Sequence, residues 1–129
     1  MRPIIVDTSA LYALADRHDV NHDSATRFFR QQTGEARWVI SNHIFDETMT
    51  LVKVRLGAHA AIQMGLRLRT SKLVEMIVFS VAEEQASWRL FTQYQDEAWS
   101  YTNCACLMLA KKMETGEAFS FDRHFVQMG

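Results

Sequence analysis

Three acids and one amide, far apart in the chain, sit where an apolar strand ends or on the face of a helix expected to be buried. They are Asp7 after Ile4-Ile5-Val6, Glu47 within Ile44-Phe45-Asp46-Glu47-Thr48, Asn103 within Tyr101-Thr102-Asn103-Cys104, and Asp122 after Phe119-Ser120-Phe121. Buried carboxylates lose solvation and repel one another, so a cluster of them calls for a cation. Oxygen donors without clustered His or Cys favour a hard divalent ion, Mg2+ or Mn2+. The chemistry such a site performs is metal-assisted attack on a phosphodiester. The amide at position 103 offers an oxygen but no negative charge, and it cannot serve as a base.

Alternating strands and helices must position these side chains. Residues 2–6 read as a short strand buried on both faces, the mark of a parallel sheet. Asp7 ends it, and Ser9 is a candidate cap for a helix through Leu11, Tyr12 and Leu14. Asn21 is expected to cap a second helix carrying Ala25, Phe28 and Phe29, which Gly34 stops. Trp38-Val39-Ile40 is a second strand. Ser41 or Asn42 then opens a helix with Ile44, Thr48, Leu51 and Val52 on one stripe. Gly57 interrupts that helix, and another runs from 58 to 69 with Ile62 and Leu66 on one side. A third strand is expected within 74–81, centred on 76–79, a helix over 82–94 facing the core with Ala86, Leu90 and Phe91, and a last long helix capped by Ser100 or Thr102. Phe119-Ser120-Phe121 closes the sheet. The pattern defines an α/β fold, a three-layer sandwich with a mainly parallel central sheet flanked by helices. In such sheets the site lies at the carboxyl ends of the strands. Asp7 and Asp122 fall at two such ends, and Glu47 and Asn103 lie about one turn inside helices that begin near the same edge.

The 129 residues suit a single domain, 1–129, and 48% hydrophobic residues suffice for a core without disulfides or structural zinc. Cys104 and Cys106 are expected to be reduced thiols on different faces of one helix. No signal peptide and no membrane-length apolar run is read, so a cytoplasmic location is expected. A net charge of −1 gives no global basic field for nucleic acid, although an acidic site offsets basic residues elsewhere.

Val6-Asp7-Thr8-Ser9-Ala10-Leu11, Glu47-Thr48, Ser100-Tyr101-Thr102-Asn103-Cys104 and Phe119-Ser120-Phe121-Asp122-Arg123-His124-Phe125 resemble the PIN domain. They are most similar to its small single-domain branch, the VapC toxins of toxin–antitoxin pairs. The match spans nearly the whole chain, in order. The resemblance implies a ribonuclease in which Asp7, Glu47, the residue at 103 and Asp122 hold Mg2+ or Mn2+. It also implies an RNA substrate, a VapB-like antitoxin and a homodimer. Position 103 departs from the family, which usually has aspartate there; activity as written is expected to be weakened or absent.

Simpler readings stand beside these. Asp7 suits a helix cap as well as a metal ligand. Helical phase puts Glu47 inward, between Ile44 and Leu51, and Asp46 outward. Arg123 is a candidate phosphate contact and His124 a candidate general acid, and either also reads as a surface residue. Arg67, Arg69 and Lys72 read as a solvated face, and Lys111-Lys112 as a response to the helix dipole. Trp38, Trp88 and Trp99 read as core or interface residues. The rival from another class is a catalytically silent PIN module that binds protein or RNA, supported by Asn103. A nucleotide-binding fold would need a Gly-rich loop that Asp7-Thr8-Ser9-Ala10 lacks. An aspartyl phosphotransfer domain would need a lysine and a hydroxyl brought to Asp7.

Overall fold

The structure, a computed structural model, describes residues 1–124. In order it contains β1 (Arg2–Val6), α1 (Thr8–Ala15), α2 (His22–Gln32), β2 (Ala36–Ser41), α3 (Asn42–Leu56), α4 (Ala58–Thr70), β3 (Val74–Ile77), α5 (Val81–Gln93), α6 (Tyr101–Lys112) and β4 (Ala118–Phe119). The four strands form one sheet in the order β3-β2-β1-β4, with every pair parallel. Among the described residues, six helices flank it. The α/β architecture with a parallel central sheet is therefore as the sequence implied.

The inner strands carry the uninterrupted apolar runs that a doubly covered sheet requires. Ile4, Ile5 and Val6 of β1 and Trp38, Val39 and Ile40 of β2 are all buried. Trp38 is the largest fully buried side chain, 1% exposed. Its indole stacks on Phe29 of α2 at 5.1 Å between centroids, with Phe119 of β4 at 5.7 Å and Phe28 at 6.0 Å. This aromatic cluster ties α2 to both β2 and the short outer strand β4.

Local chemistry sets the element boundaries, in places differently from the sequence reading. Asp7, not Ser9, caps α1. Asn21 precedes α2 but makes no side-chain cap bond. Ser41 caps α3, freeing Asn42 to accept from the Phe79 backbone N–H at 2.9 Å. That bond takes Phe79 out of the sheet, so β3 lies at Val74–Ile77 rather than at 76–79, paired residue by residue with Trp38–Ser41. Ser80 and Glu83 form a capping box that starts α5 one residue early, at Val81. Gly57 takes φ +97°, a backbone shape that glycine adopts without strain, and breaks one long helical stretch into α3 and α4. β4 holds only Ala118 and Phe119, so Ser120 and Phe121 lie beyond the strand.

Burial treats the two apolar helix stripes differently. Ile44, Thr48 and Val52 of α3 are buried, whereas Ile62 and Leu66 of α4 are 59% and 52% exposed. Trp88 is likewise an exposed residue, its ring set against Phe91. Cys104 and Cys106 are both buried free thiols. Among the described residues no helix is long and apolar enough to cross a membrane.

Candidate active site

Parallel pairing of β1 with β4 puts Ile5 beside Ala118 and Val6 beside Phe119. The residues that leave these strands therefore emerge side by side at the carboxyl edge. Asp7 follows β1 directly. Its Oδ1 accepts from the Ala10 backbone N–H at 3.2 Å and from the Ser9 hydroxyl at 2.7 Å. Its Oδ2 accepts from the Ser120 hydroxyl at 2.9 Å. The capping and site readings of Asp7 are thus compatible: one oxygen starts the helix while the other takes the Ser120 hydroxyl just beyond β4. Ser120 is a strut that the sequence reading missed. It also accepts from the Asp122 backbone N–H at 2.9 Å, so one hydroxyl fixes both aspartates. Its signal was a small polar residue between two phenylalanines, just ahead of an acid.

Asn103 arrives on the first turn of α6 and closes a second capping box with Ser100. Its amide Oδ1 accepts from the Ser100 backbone N–H at 3.0 Å, while the Ser100 hydroxyl accepts from the Asn103 N–H. This bond fixes which way the amide faces: Nδ2 is turned toward Asp122 Oδ2, at 3.4 Å. The second Asp122 oxygen accepts from the His124 backbone N–H at 2.9 Å and lies 3.2 Å from the His124 ring. His124 therefore pairs with the site aspartate. Arg123 is exposed, and Phe125 of the closing motif lies outside the described residues.

Glu47 reaches the same place from α3. Asp7, Glu47, Asn103 and Asp122 all line a single cleft of about 510 Å³, together with Ser9, Tyr12, Arg55, Thr102, Cys106 and Phe121. Glu47 is exposed within it, and Asp46 lies on the adjoining surface. The cleft's electrostatics are those of crowded acids. Burial raises the Asp7 carboxyl above its usual range; hydrogen bonds from Ser9, Ser120 and Ala10 oppose this, and the charge of Asp122 adds to it. Burial, with the charges of Asp7, Glu47 and Asp122, also pushes the Cys106 thiol well above its usual value.

This gives a pH-dependent expectation. The neutral form of Asp7 is favoured by the fold, so its contribution to stability is full below the unfolded value near 3.8 and is lost as the pH rises through the raised folded value. In metal-free protein, Asp7→Asn should therefore raise the melting temperature near neutral pH, and the gain should vanish in acid. A lower melting temperature at neutral pH would show that the three hydrogen bonds outweigh the cost of burial.

The carboxylates of Asp7, Glu47 and Asp122 offer oxygen donors, as a hard cation requires, whereas Asn103 turns its N–H toward Asp122. Among the described residues, no three Asp, Glu, His or Cys side chains close round a single point. Mg2+ does not need them to: it keeps several waters and is held by one or two carboxylates. Asp7 and Asp122, both tied to Ser120, and Glu47 in the same cleft suit such an open site.

A doubly covered parallel sheet with acids gathered at its carboxyl edge is an α/β fold with its site at the strand ends, and the chain belongs to the PIN domain family, whose model matches residues 4–129. It is 31% identical over 127 residues to the 23S rRNA-specific endonuclease VapC20 of Mycobacterium tuberculosis, covering 98% of this chain and 94% of that protein. It is 28% identical over 123 residues to ribonuclease VapC26 of the same organism, covering 95% of this chain and 89% of the relative. The crystal structure of VapC20, described as a sarcin-ricin loop cleaving toxin, superposes with a TM-score of 0.90 at 26% identity, covering 98% of this chain and 95% of that one. VapBC2 from Rickettsia felis, solved with a DNA fragment from its promoter, shares the fold with a TM-score of 0.73 at 14% identity, covering 98% and 92%.

Proposed function

We propose that this chain is a VapC-type endoribonuclease toxin that depends on Mg2+ or Mn2+ and is weakened by Asn103. The observation that carries the reading is the meeting of Asp7, Glu47, Asn103 and Asp122 in one cleft, in a chain whose relatives are named as ribonucleases. Asp7, Asp122 and Glu47 would hold the ion, with position 103 beside them. Such an ion, when bound, lowers the pKa of water and stabilises charge on a phosphodiester. The chain's own residues set the frame. Ser9 and Ser120 orient the Asp7 carboxylate, Ser120 and His124 hold the segment that presents Asp122, and the Ser100 capping box fixes position 103.

The reading includes a homodimer and a VapB-like antitoxin, as the family resemblance implies. Exposed Ile62 and Leu66 on α4 and Trp88 on α5 are apolar surface that a protein partner would cover. The silent binding module remains the second reading because Asn103 turns an N–H toward Asp122, a neutral donor in a place where a nuclease would gather negative charge.

The test is digestion of RNA by the purified Asn103→Asp protein in Mg2+, with and without a chelator. Cutting that survives chelation overturns the metal mechanism, and no cutting of total cellular RNA favours the silent module. Metal binding is read separately by thermal shift. Added Mn2+ should raise the melting temperature of Asn103→Asp by more than that of the chain as written, since a ligand that binds only the native state stabilises it by mass action. Equal shifts would argue against position 103 as a metal ligand.

A further inference from the structure

The cleft has a second charged feature that metal chemistry does not use. Glu47, Leu51 and Arg55 recur every four residues on α3 and all line the cleft, so one helical stripe runs along its wall. Arg55 is eight positions beyond Glu47, about 12 Å along the helix axis. Among the described residues that line the cleft, it is the one Lys or Arg, against Asp7, Asp19, Glu47 and Asp122.

Arg55 is also held in place. Its guanidinium lies over the ring of Tyr12, 5.0 Å from the centroid. Tyr12 is buried, and its hydroxyl donates to Asp16 Oδ2 at 2.6 Å. The ring under the guanidinium is therefore fixed at both ends, by packing against Val52 and Ala61 and by Asp16. Among the described residues no carboxylate lies within ion-pair distance of Arg55, although the side chain is exposed. A last-turn arginine can simply answer the helix dipole, and Lys53 in the same turn does only that: it is exposed and lines a different groove, between α3 and α4. Arg55 differs in being stacked on Tyr12, whose hydroxyl bridges it to Asp16, and in lining the acidic cleft. A planar cation so arranged suits bidentate contact with a phosphate.

We infer that Arg55, stacked on Tyr12, binds a backbone phosphate of the RNA beside the scissile one and so sets the track of the strand across the acidic cleft. The inference rests on the ribonuclease reading and deepens it. An acidic cleft repels a polyanion everywhere but at its metal, and Arg55 supplies attraction at one end, which orients the strand.

The test is equilibrium binding of a fluorescent single-stranded RNA oligonucleotide to the chain as written, at fixed Mg2+ over a range of monovalent salt, with a gel to confirm that the oligonucleotide stays whole. Each phosphate neutralised on a single strand contributes about 0.7 to the slope of log K against log salt. Arg55→Ala should weaken binding and reduce the slope by about 0.7. Arg55→Lys should keep the slope with reduced affinity, because it retains the charge and loses the fork. Lys53→Ala, the same change in net charge one turn-face away, should leave affinity and slope unchanged. An Arg55→Ala protein with a lowered melting temperature but the parent's slope overturns the inference, since Arg55 then only braces Tyr12. An equal loss of slope in Lys53→Ala overturns it too. A parent that binds no RNA overturns the ribonuclease reading itself, and this inference with it; a parent that binds with a slope indifferent to Arg55 overturns the inference alone.

Discussion

Asn103→Asp is expected to raise Mg2+- or Mn2+-dependent RNA cleavage by about a hundredfold or more, given that a metal-centred site supplies several kcal/mol of charge stabilisation and each 1.36 kcal/mol is about tenfold in rate. The geometry explains why one atom matters so much. The amide oxygen is committed to the Ser100 backbone N–H, and the nitrogen faces Asp122. A carboxylate in the same rotamer keeps the capping bond and places a negative oxygen near the helix N-terminus, where the dipole favours it. Its other oxygen then faces Asp122 where Nδ2 now stands. Two carboxylates at that separation repel strongly unless a cation lies between them. The substitution therefore exchanges a neutral hydrogen-bond partner for a second anionic donor, which strengthens binding of a hard ion. Asp7→Ala in the Asn103→Asp background should bring cleavage back to the level without enzyme. Toxicity on expression should follow the same order and be suppressed by the cognate antitoxin. Cleavage indifferent to Asp7→Ala would sink the mechanism, whatever position 103 does.

Trp38→Ala carries the largest expected effect on stability, about 3–5 kcal/mol, the usual cost of removing a buried large aromatic side chain. The indole is the hub on which Phe28 and Phe29 of α2 and Phe119 of β4 meet. For a domain with about 5–15 kcal/mol in all, that loss should lower the melting temperature on the order of 10 °C. The effect should reach the site, because Phe119 is the last paired residue before Ser120 and Asp122. Trp38→Phe is the informative companion. The Trp38 Nε1 has no hydrogen-bond partner among the described residues, and an unsatisfied buried donor costs about 1–3 kcal/mol. Phenylalanine keeps an aromatic stack and removes that donor, so it should cost much less than alanine. Thermal melts of the two variants decide the matter: equal losses would mean that indole volume, not the stack, holds β4 in place.

Much of this molecule was legible along the chain because it depends on short-range chemistry. Ile4-Ile5-Val6 and Trp38-Val39-Ile40 announce doubly buried strands by composition alone, and Ser41 and Ser100 were among the candidate helix starts because capping is decided within four residues; the same chemistry at Ser80 went unread. The positions of Asp7 and Asp122 after strands, and of Glu47 and Asn103 about one turn inside helices, pointed to one edge, and the structure places all four in one cleft. What the sequence misplaced was settled by partners distant in the chain. β3 sits at Val74–Ile77 because its register is set by Trp38–Ser41 and because Asn42 takes the Phe79 N–H. Ile62 and Leu66 share a helical stripe, yet that stripe faces outward, and periodicity alone does not say which apolar face finds a cover. The role of Ser120 depends on the parallel pairing of β1 with β4, across more than a hundred residues. The prominence of Arg55 depends on Tyr12, brought to it by the packing of α1 on α3. Sequence fixes which groups can ionise, cap or stack, since those are properties of residues and their near neighbours. Only the tertiary structure decides which charges share a dielectric, which way the Asn103 amide turns and which cation comes to line the acidic cleft, because each of these is a distance between residues that the chain itself holds far apart.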